Sequence, residues 1–159
     1  MSSNAGKRIP QKMQQRQYTL FLINPAQRYI NYPAHSELAR IFGKRRLMIP
    51  LALPTIAALT PEHYNIRIFD ESIETIPMDE TPDIVGITTV AATSLRAFRL
   101  ADHYREKGVK VVLGGPYASF TVQECLRHCD AVVVGEAERK WEECLRSEEH
   151  TSELQSPNT

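Results

Sequence analysis

From residue 18 onward the chain alternates short apolar runs with amphipathic stretches. Tyr18–Ile23 (YTLFLI) is a continuous apolar run closed by Asn24-Pro25, the pattern of a strand buried on both faces. Tyr64–Asp70 (YNIRIFD) alternates apolar and polar side chains, which predicts a half-covered strand. Asp83–Thr88 (DIVGIT), Val109–Leu113 (VKVVL) and Ala131–Val134 read as three further strands, followed by Thr89, Gly114-Gly115-Pro116 and Gly135. Between them lie four helical stretches. Pro50–Thr60 opens on a proline, with a regular helix expected from Pro54. Ala92–Lys107 places Leu95, Phe98, Ala101 and Tyr104 on one face and is closed by Gly108. Thr121–Cys129 and Glu136–Leu145 complete the set. Strands alternating with helices, several strands being apolar throughout, predict an α/β fold with a parallel sheet covered on both faces. No Gly-x-Gly-x-x-Gly opens the repeat. The expectation is a flavodoxin-like (Rossmann-like) open parallel five-stranded sheet with helices on both faces, rather than a dinucleotide-binding one.

The flanks follow a different pattern. Residues 1–17 carry Lys7, Arg8, Lys12 and Arg16 among glutamines and serines, too few apolar groups to bury a core, and read as a disordered basic leader. The connection from Ala26 to Ile49, with Pro33 and a Lys44-Arg45-Arg46 knot, is long for a compact domain, as functional loops often are. Residues 146–156 (RSEEHTSELQS) resemble, residue for residue, a frame translation of a common short-read sequencing adapter. Residues 146–159 are therefore expected to be a non-native tail, and the domain at 18–145 to be truncated at its C-terminal end.

Charge narrows the function classes. Nineteen basic residues balance nineteen acidic ones over the chain, which argues against nucleic-acid binding driven by bulk charge. No apolar run reaches the roughly 18 residues of a membrane span, and the polar N-terminus has no signal-peptide core, so a cytoplasmic protein is expected. Cys125, Cys129 and Cys144 are an odd number without zinc-like spacing, hence reduced thiols.

In open α/β sheets ligands bind beyond the carboxyl ends of the strands. The residues there are Asn24 and Pro25, Asp70 and Glu71, Thr88 and Thr89, Gly114, Gly115, Pro116 and Tyr117, and Gly135 and Glu136. They include no nucleophile–histidine pair, no phosphate loop and no cluster of metal ligands. A lip of glycines, hydroxyls and prolines suits a large ligand lying against bare backbone better than acid–base work. Each piece also has a structural reading: a tight turn for the glycine pair, a helix cap for the threonines, a macrodipole partner for Glu136.

Taken in order, six segments resemble the cobalamin-binding domain at the front of B12-dependent radical S-adenosylmethionine enzymes. They are Leu22-Ile23-Asn24-Pro25, Pro50-x-x-x-Pro54-x-x-Ala57-Ala58-Leu59, Ile68-Phe69-Asp70-Glu71, Asp83-Ile84-Val85-Gly86-Ile87, Val111-Val112-Leu113-Gly114-Gly115-Pro116 and Val133-Val134-Gly135-Glu136-Ala137-Glu138. The resemblance implies that the nucleotide tail of cobalamin threads between strands. Thr88 and Thr89 would then stand at the hydroxyl-bearing loop, Gly114 and Gly115 would give backbone room, and Gly135 and Glu136 would line the next strand end.

Two departures qualify what the resemblance implies. The Asp-x-His-x-x-Gly motif of cobalamin-dependent mutases is missing, so a corrinoid without a protein histidine below cobalt is expected, His35 being the one histidine placed to challenge this. The Cys-x-x-x-Cys-x-x-Cys that ligates a 4Fe-4S cluster and cleaves S-adenosylmethionine is also missing, since Cys125-x-x-x-Cys129 runs on into Asp130-Ala131-Val132. No catalytic or metal-ligating residue is therefore assigned. The expected function is a cobalamin-holding domain whose partner is a radical S-adenosylmethionine barrel of the same parent chain, a methyltransferase or ring-modifying enzyme. Two alternatives stay open: a stand-alone corrinoid carrier or sensor, and a flavodoxin-like domain that binds flavin or a nucleotide.

Overall fold

The computed structural model describes residues 16–26, 41, 43 and 51–147. The Lys44-Arg45-Arg46 knot, His35, most of the leader and the tail from residue 148 lie outside the described residues. Five parallel strands form one sheet in the order β2-β1-β3-β4-β5: β1 Tyr18–Asn24, β2 Tyr64–Asp70, β3 Ile84–Thr88, β4 Lys110–Gly114 and β5 Ala131–Val132. This is the flavodoxin-like order expected from the sequence, with the reversal in strand order at β1 and β3. The registers Leu22↔Gly86 and Thr88↔Gly114 bring the ends of the three central strands level.

Five helices complete the described part: α1 Ala52–Leu59, α2 Ser94–Glu106, α3 Pro116–Phe120, α4 Val122–Cys125 and α5 over 141–147. Helix α1 begins at Ala52, so Pro54 is its third residue, earlier than the start at Pro54 predicted above. The first turn has no intrahelical partner for its N–H groups, so proline costs it no hydrogen bond. Helix α2 is entered through a 3-10 turn at Ala91–Thr93. It buries Ser94, Ala97, Phe98, Leu100, Ala101 and Tyr104. Leu95, placed on that face by its spacing, is instead 72 % exposed, because the inward stripe begins at Ser94. Gly108 (φ 78°) ends the helix as expected, its N–H donating to the Arg105 carbonyl at 2.9 Å. The stretch Thr121–Cys129 is regular only over α4, and α3 was hidden by the Gly-Gly-Pro that reads as a turn.

The core is two layers, one on each face of the sheet. Phe21, Ile23, Val85, Ile87, Val111 and Leu113 pack against α2. Leu20, Leu22, Ile84, Val112 and Val133 pack on the other face against Leu53 and Ile56 of α1 and Trp141 and Leu145 of α5. Edge strand β2 keeps a polar outer side, and Arg67 covers both Phe21 and Phe69 with its guanidinium 4.9 Å from each ring centre. Among the described residues no helix is long and apolar enough to cross a membrane.

Candidate ligand site at the carboxyl rim of the sheet

The predicted lip residues do gather along the carboxyl rim, but their side chains do different things. At the end of β1, Asn24 Nδ2 donates to Asp70 Oδ1 at 3.2 Å, and Pro25 is buried. Asp70 also accepts the Ser72 N–H at 3.1 Å, so its carboxylate organises the turn after β2. Its neighbour Glu71 is more deeply held. It accepts the Ala26 N–H at 2.9 Å and the Arg96 Nε at 2.9 Å, with its side chain 13 % exposed. Arg96 was not singled out in the sequence, where it is one more arginine on a helix surface. Only the tertiary fold, which brings the start of α2 over the end of β2, reveals the pair.

At the end of β3 the two threonines diverge. Thr89 is fully buried, and its hydroxyl donates to the Gly114 carbonyl at 2.9 Å and accepts the Ala118 N–H at 3.1 Å. Its side chain ties β3 to β4 and α3. Thr88 is half-buried on the opposite face, beside Gly114 across the ladder.

The two glycines also diverge. Gly115 has φ 99°, and a Cβ there would lie 2.7 Å from the Thr89 carbonyl oxygen and 3.0 Å from Thr88 Oγ1, so only glycine fits. Among the described residues, a Cβ at Gly114 would meet one atom within contact range, Val133 Cβ at 3.8 Å. They leave a notch in the rim there, beside Thr88 and Val133. Pro116 is exposed, and Tyr117 turns away: its hydroxyl donates to Glu124 Oε2 at 2.8 Å and its ring packs near Phe98. The hydrogen bond to Glu124 raises the Tyr117 pKa. Gly135 and Glu136 are exposed, Glu136 pairing with Arg139 at 3.6 Å and the Gly135 N–H bonding Ser119 Oγ at 2.9 Å.

Below the notch, on the same face, Trp141 fills the space over Gly86, where a Cβ would stand 3.3 Å from Trp141 Cη2 and 2.9 Å from Leu22 Cδ2. Its indole N–H donates to Thr60 Oγ1 at 2.8 Å. Trp141 is thus packed into the core.

Around Gly114 the described residues offer bare backbone, the Thr88 hydroxyl and the apolar Val133, a chemistry for holding rather than reacting. Among the described residues no group of three or more His, Cys, Asp or Glu could hold a metal. His63, His103 and His128 belong to the amino end of the sheet, His128 pairing with Asp102 at 2.9 Å and His103 with the Met78 carbonyl at 2.8 Å. Cys125 and Cys129 are buried, and burial pushes the Cys129 thiol up to about 12. A cleft of about 500 Å³ at the amino end is lined by Asp102, Arg105, Lys110 and Asp130, charges that pair with one another or with His128.

Comparison with known proteins identifies the family of the domain. Residues 47–145 match the family model described as the B12 binding domain. Bacteriochlorophyllide d C-8(2)-methyltransferase of Chlorobaculum tepidum is 40 % identical over 100 residues, 62 % of this chain and 22 % of that protein. The C-12(1)-methyltransferase of the same organism is 30 % identical over 110 residues, 68 % of this chain and 24 % of its own length. An uncharacterized methyltransferase of Pyrococcus horikoshii is 31 % identical over 126 residues, 71 % of this chain and 27 % of its length. The chain therefore spans about a quarter of each relative it matches.

Proposed function

The chain belongs to the B12-binding domain family, and on that premise we propose that it is the cobalamin-holding part of a radical S-adenosylmethionine methyltransferase. The observation that carries this reading is the notch at Gly114: a position at the carboxyl rim that no described residue fills, beside the switch in strand order, with the Thr88 hydroxyl on one side and Val133 on the other. Bound cobalamin supplies a cobalt–carbon bond from which a methyl group can be delivered. The chain's own residues do the holding. Thr88 offers a hydroxyl to the nucleotide tail, and Gly114 lets the tail lie against backbone. Gly115 and Thr89 keep the ends of β3 and β4 together, while Asn24, Pro25 and Asp70 on one side and Gly135 and Glu136 on the other border the rim. Pro116 and Tyr117 start the helix that backs it.

In this reading the 4Fe-4S cluster and S-adenosylmethionine belong to a barrel of the parent chain, and the tail from residue 146 is foreign to it. The protein works in the cytoplasm without nucleic acid. The names of the two Chlorobaculum relatives favour a methyltransferase over a stand-alone corrinoid carrier. The reading includes no protein histidine as a ligand to cobalt: the three histidines among the described residues stand at the far end of the sheet, and His35, which lies outside them, is the test case.

Spectral titration with hydroxocobalamin and, separately, flavin mononucleotide tests the reading. A corrin spectral change that is the same in wild type and His35→Ala is expected, with no response to flavin. Tight flavin binding without a corrin response would overturn it. A different corrin spectrum in His35→Ala would overturn the absence of a histidine ligand.

A further inference from the structure

On the face covered by α1 and α5, side chains fall in rows, because alternate residues of each strand point the same way. The middle row is Leu22, Gly86 and Val112, and the carboxyl row holds Thr88, Gly114 and Val133. Each row contains a glycine, but only one gap is filled. Over Gly86 stand Leu22 and the Trp141 ring, at 2.9 and 3.3 Å from where a Cβ would be. Over Gly114 no atom of the covering helices comes into contact range. Among the described residues the indole therefore stands one row, about 6–7 Å, below the uncovered position at Gly114. Trp141 is 3 % exposed and is held from the far side. Its N–H donates to Thr60 Oγ1, and the Thr60 hydroxyl in turn donates to the Ile56 carbonyl at 2.8 Å, so the ring's place is set by the end of α1.

We propose that Trp141 is the depth stop for the nucleotide tail of bound cobalamin, making this domain select corrinoids by their tail. The heteroaromatic base enters over Gly114, between Thr88 and Val133, and ends against the indole. Trp141 then acts on the tail alone and is a specificity residue, not a catalytic one. The inference rests on the cobalamin reading above.

The test is the ratio of affinities for cobalamin and for cobinamide, which has the same corrin ring but no nucleotide tail. It is measured on the 159-residue chain, on Trp141→Phe and on Thr60→Val, which keeps the buried volume but releases the indole N–H. Wild type should favour cobalamin by about tenfold or more, the scale of one apolar wall. Both variants should lose most of that preference while binding cobinamide as wild type does. Should Trp141→Phe fail to fold, the ratio in Thr60→Val decides. An unchanged ratio in a folded variant would overturn the depth stop and leave the cobalamin reading standing. Failure of wild type to bind either corrinoid would overturn the cobalamin reading itself.

Discussion

Gly115 and Thr89 are packed backbone to backbone: a methyl group on Gly115 would stand 2.7 Å from the Thr89 carbonyl oxygen and 2.9 Å from its nitrogen. The contact is reinforced on both sides, by the Thr89 N–H to the Gly114 carbonyl at 2.7 Å and the Tyr117 N–H to the Thr89 carbonyl at 3.1 Å. The ends of β3 and β4 are thereby fixed against each other. Among the described residues, a methyl group on the neighbouring Gly114 would have Val133 alone within contact range.

The two glycines should therefore respond differently to alanine. Gly115→Ala meets both a left-handed backbone and a steric clash, and is expected to lose about 2–4 kcal/mol of stability. Gly114→Ala should stay within about 1 kcal/mol of wild type yet bind cobalamin more weakly. Urea denaturation and corrinoid titration of the two variants check this. Equal stability of Gly115→Ala and wild type would refute the packing argument.

The adjacent threonines should separate in the same way. Thr89→Val strips a partner from the Gly114 carbonyl and from the Ala118 N–H, at about 1–3 kcal/mol. Thr88→Val should leave the melting temperature nearly unchanged and weaken cobalamin. If Thr89→Val melts with wild type, its hydroxyl is not the tie described here.

The Glu71–Arg96 pair anchors Ala26, where the chain leaves β1. Both side chains are largely covered, at 13 % and 30 % exposure, so removing one leaves the other's charge poorly solvated. Glu71→Gln and Arg96→Met are each expected to cost about 1–3 kcal/mol, reduced from a fully buried pair by the partial exposure. A double-mutant cycle should return a coupling energy of the same sign, and additivity would show that the two do not act as a pair.

Alkaline pH should destabilise the fold. Burial pushes Tyr104 up from 10.0 to about 12, and burial together with Cys125 pushes Cys129 up from 9.0 to about 12. The unfolded chain loses these protons first, so stability is complete below pH 9 and falls as pH rises toward 12. Cys129→Ala should flatten the early part of that decline in a series of melts. For the same reason, a thiol reagent should label half-buried Cys144 well before the buried Cys125 and Cys129.

Much of this was legible in the sequence because the central strands are apolar on both faces, and YTLFLI and VKVVL have few other homes. The strand ends could then be named, since a parallel βα repeat puts its ligand side at their carboxyl termini. What escaped was set by tertiary contact. Leu95 has the right spacing for the core, yet the 3-10 entry to α2 turns the buried stripe onto Ser94. Thr88 and Thr89 look alike as a pair, and only the pleat assigns one to the rim and the other to the interior. Glu71 meets Arg96 through the fold alone. Trp141 was not singled out in the sequence, because nothing local announces that Gly86 leaves room for it.

The most direct test of the central claim is retention of the corrin. The 159-residue chain is mixed with excess hydroxocobalamin and passed through gel filtration, and corrin absorbance is read against protein. Stoichiometric corrin should elute with wild type, and much less with Gly114→Val, in which the notch is filled. A colourless wild-type peak, shown to be folded by the emission of its single tryptophan, would contradict the assignment of the rim as a cobalamin site.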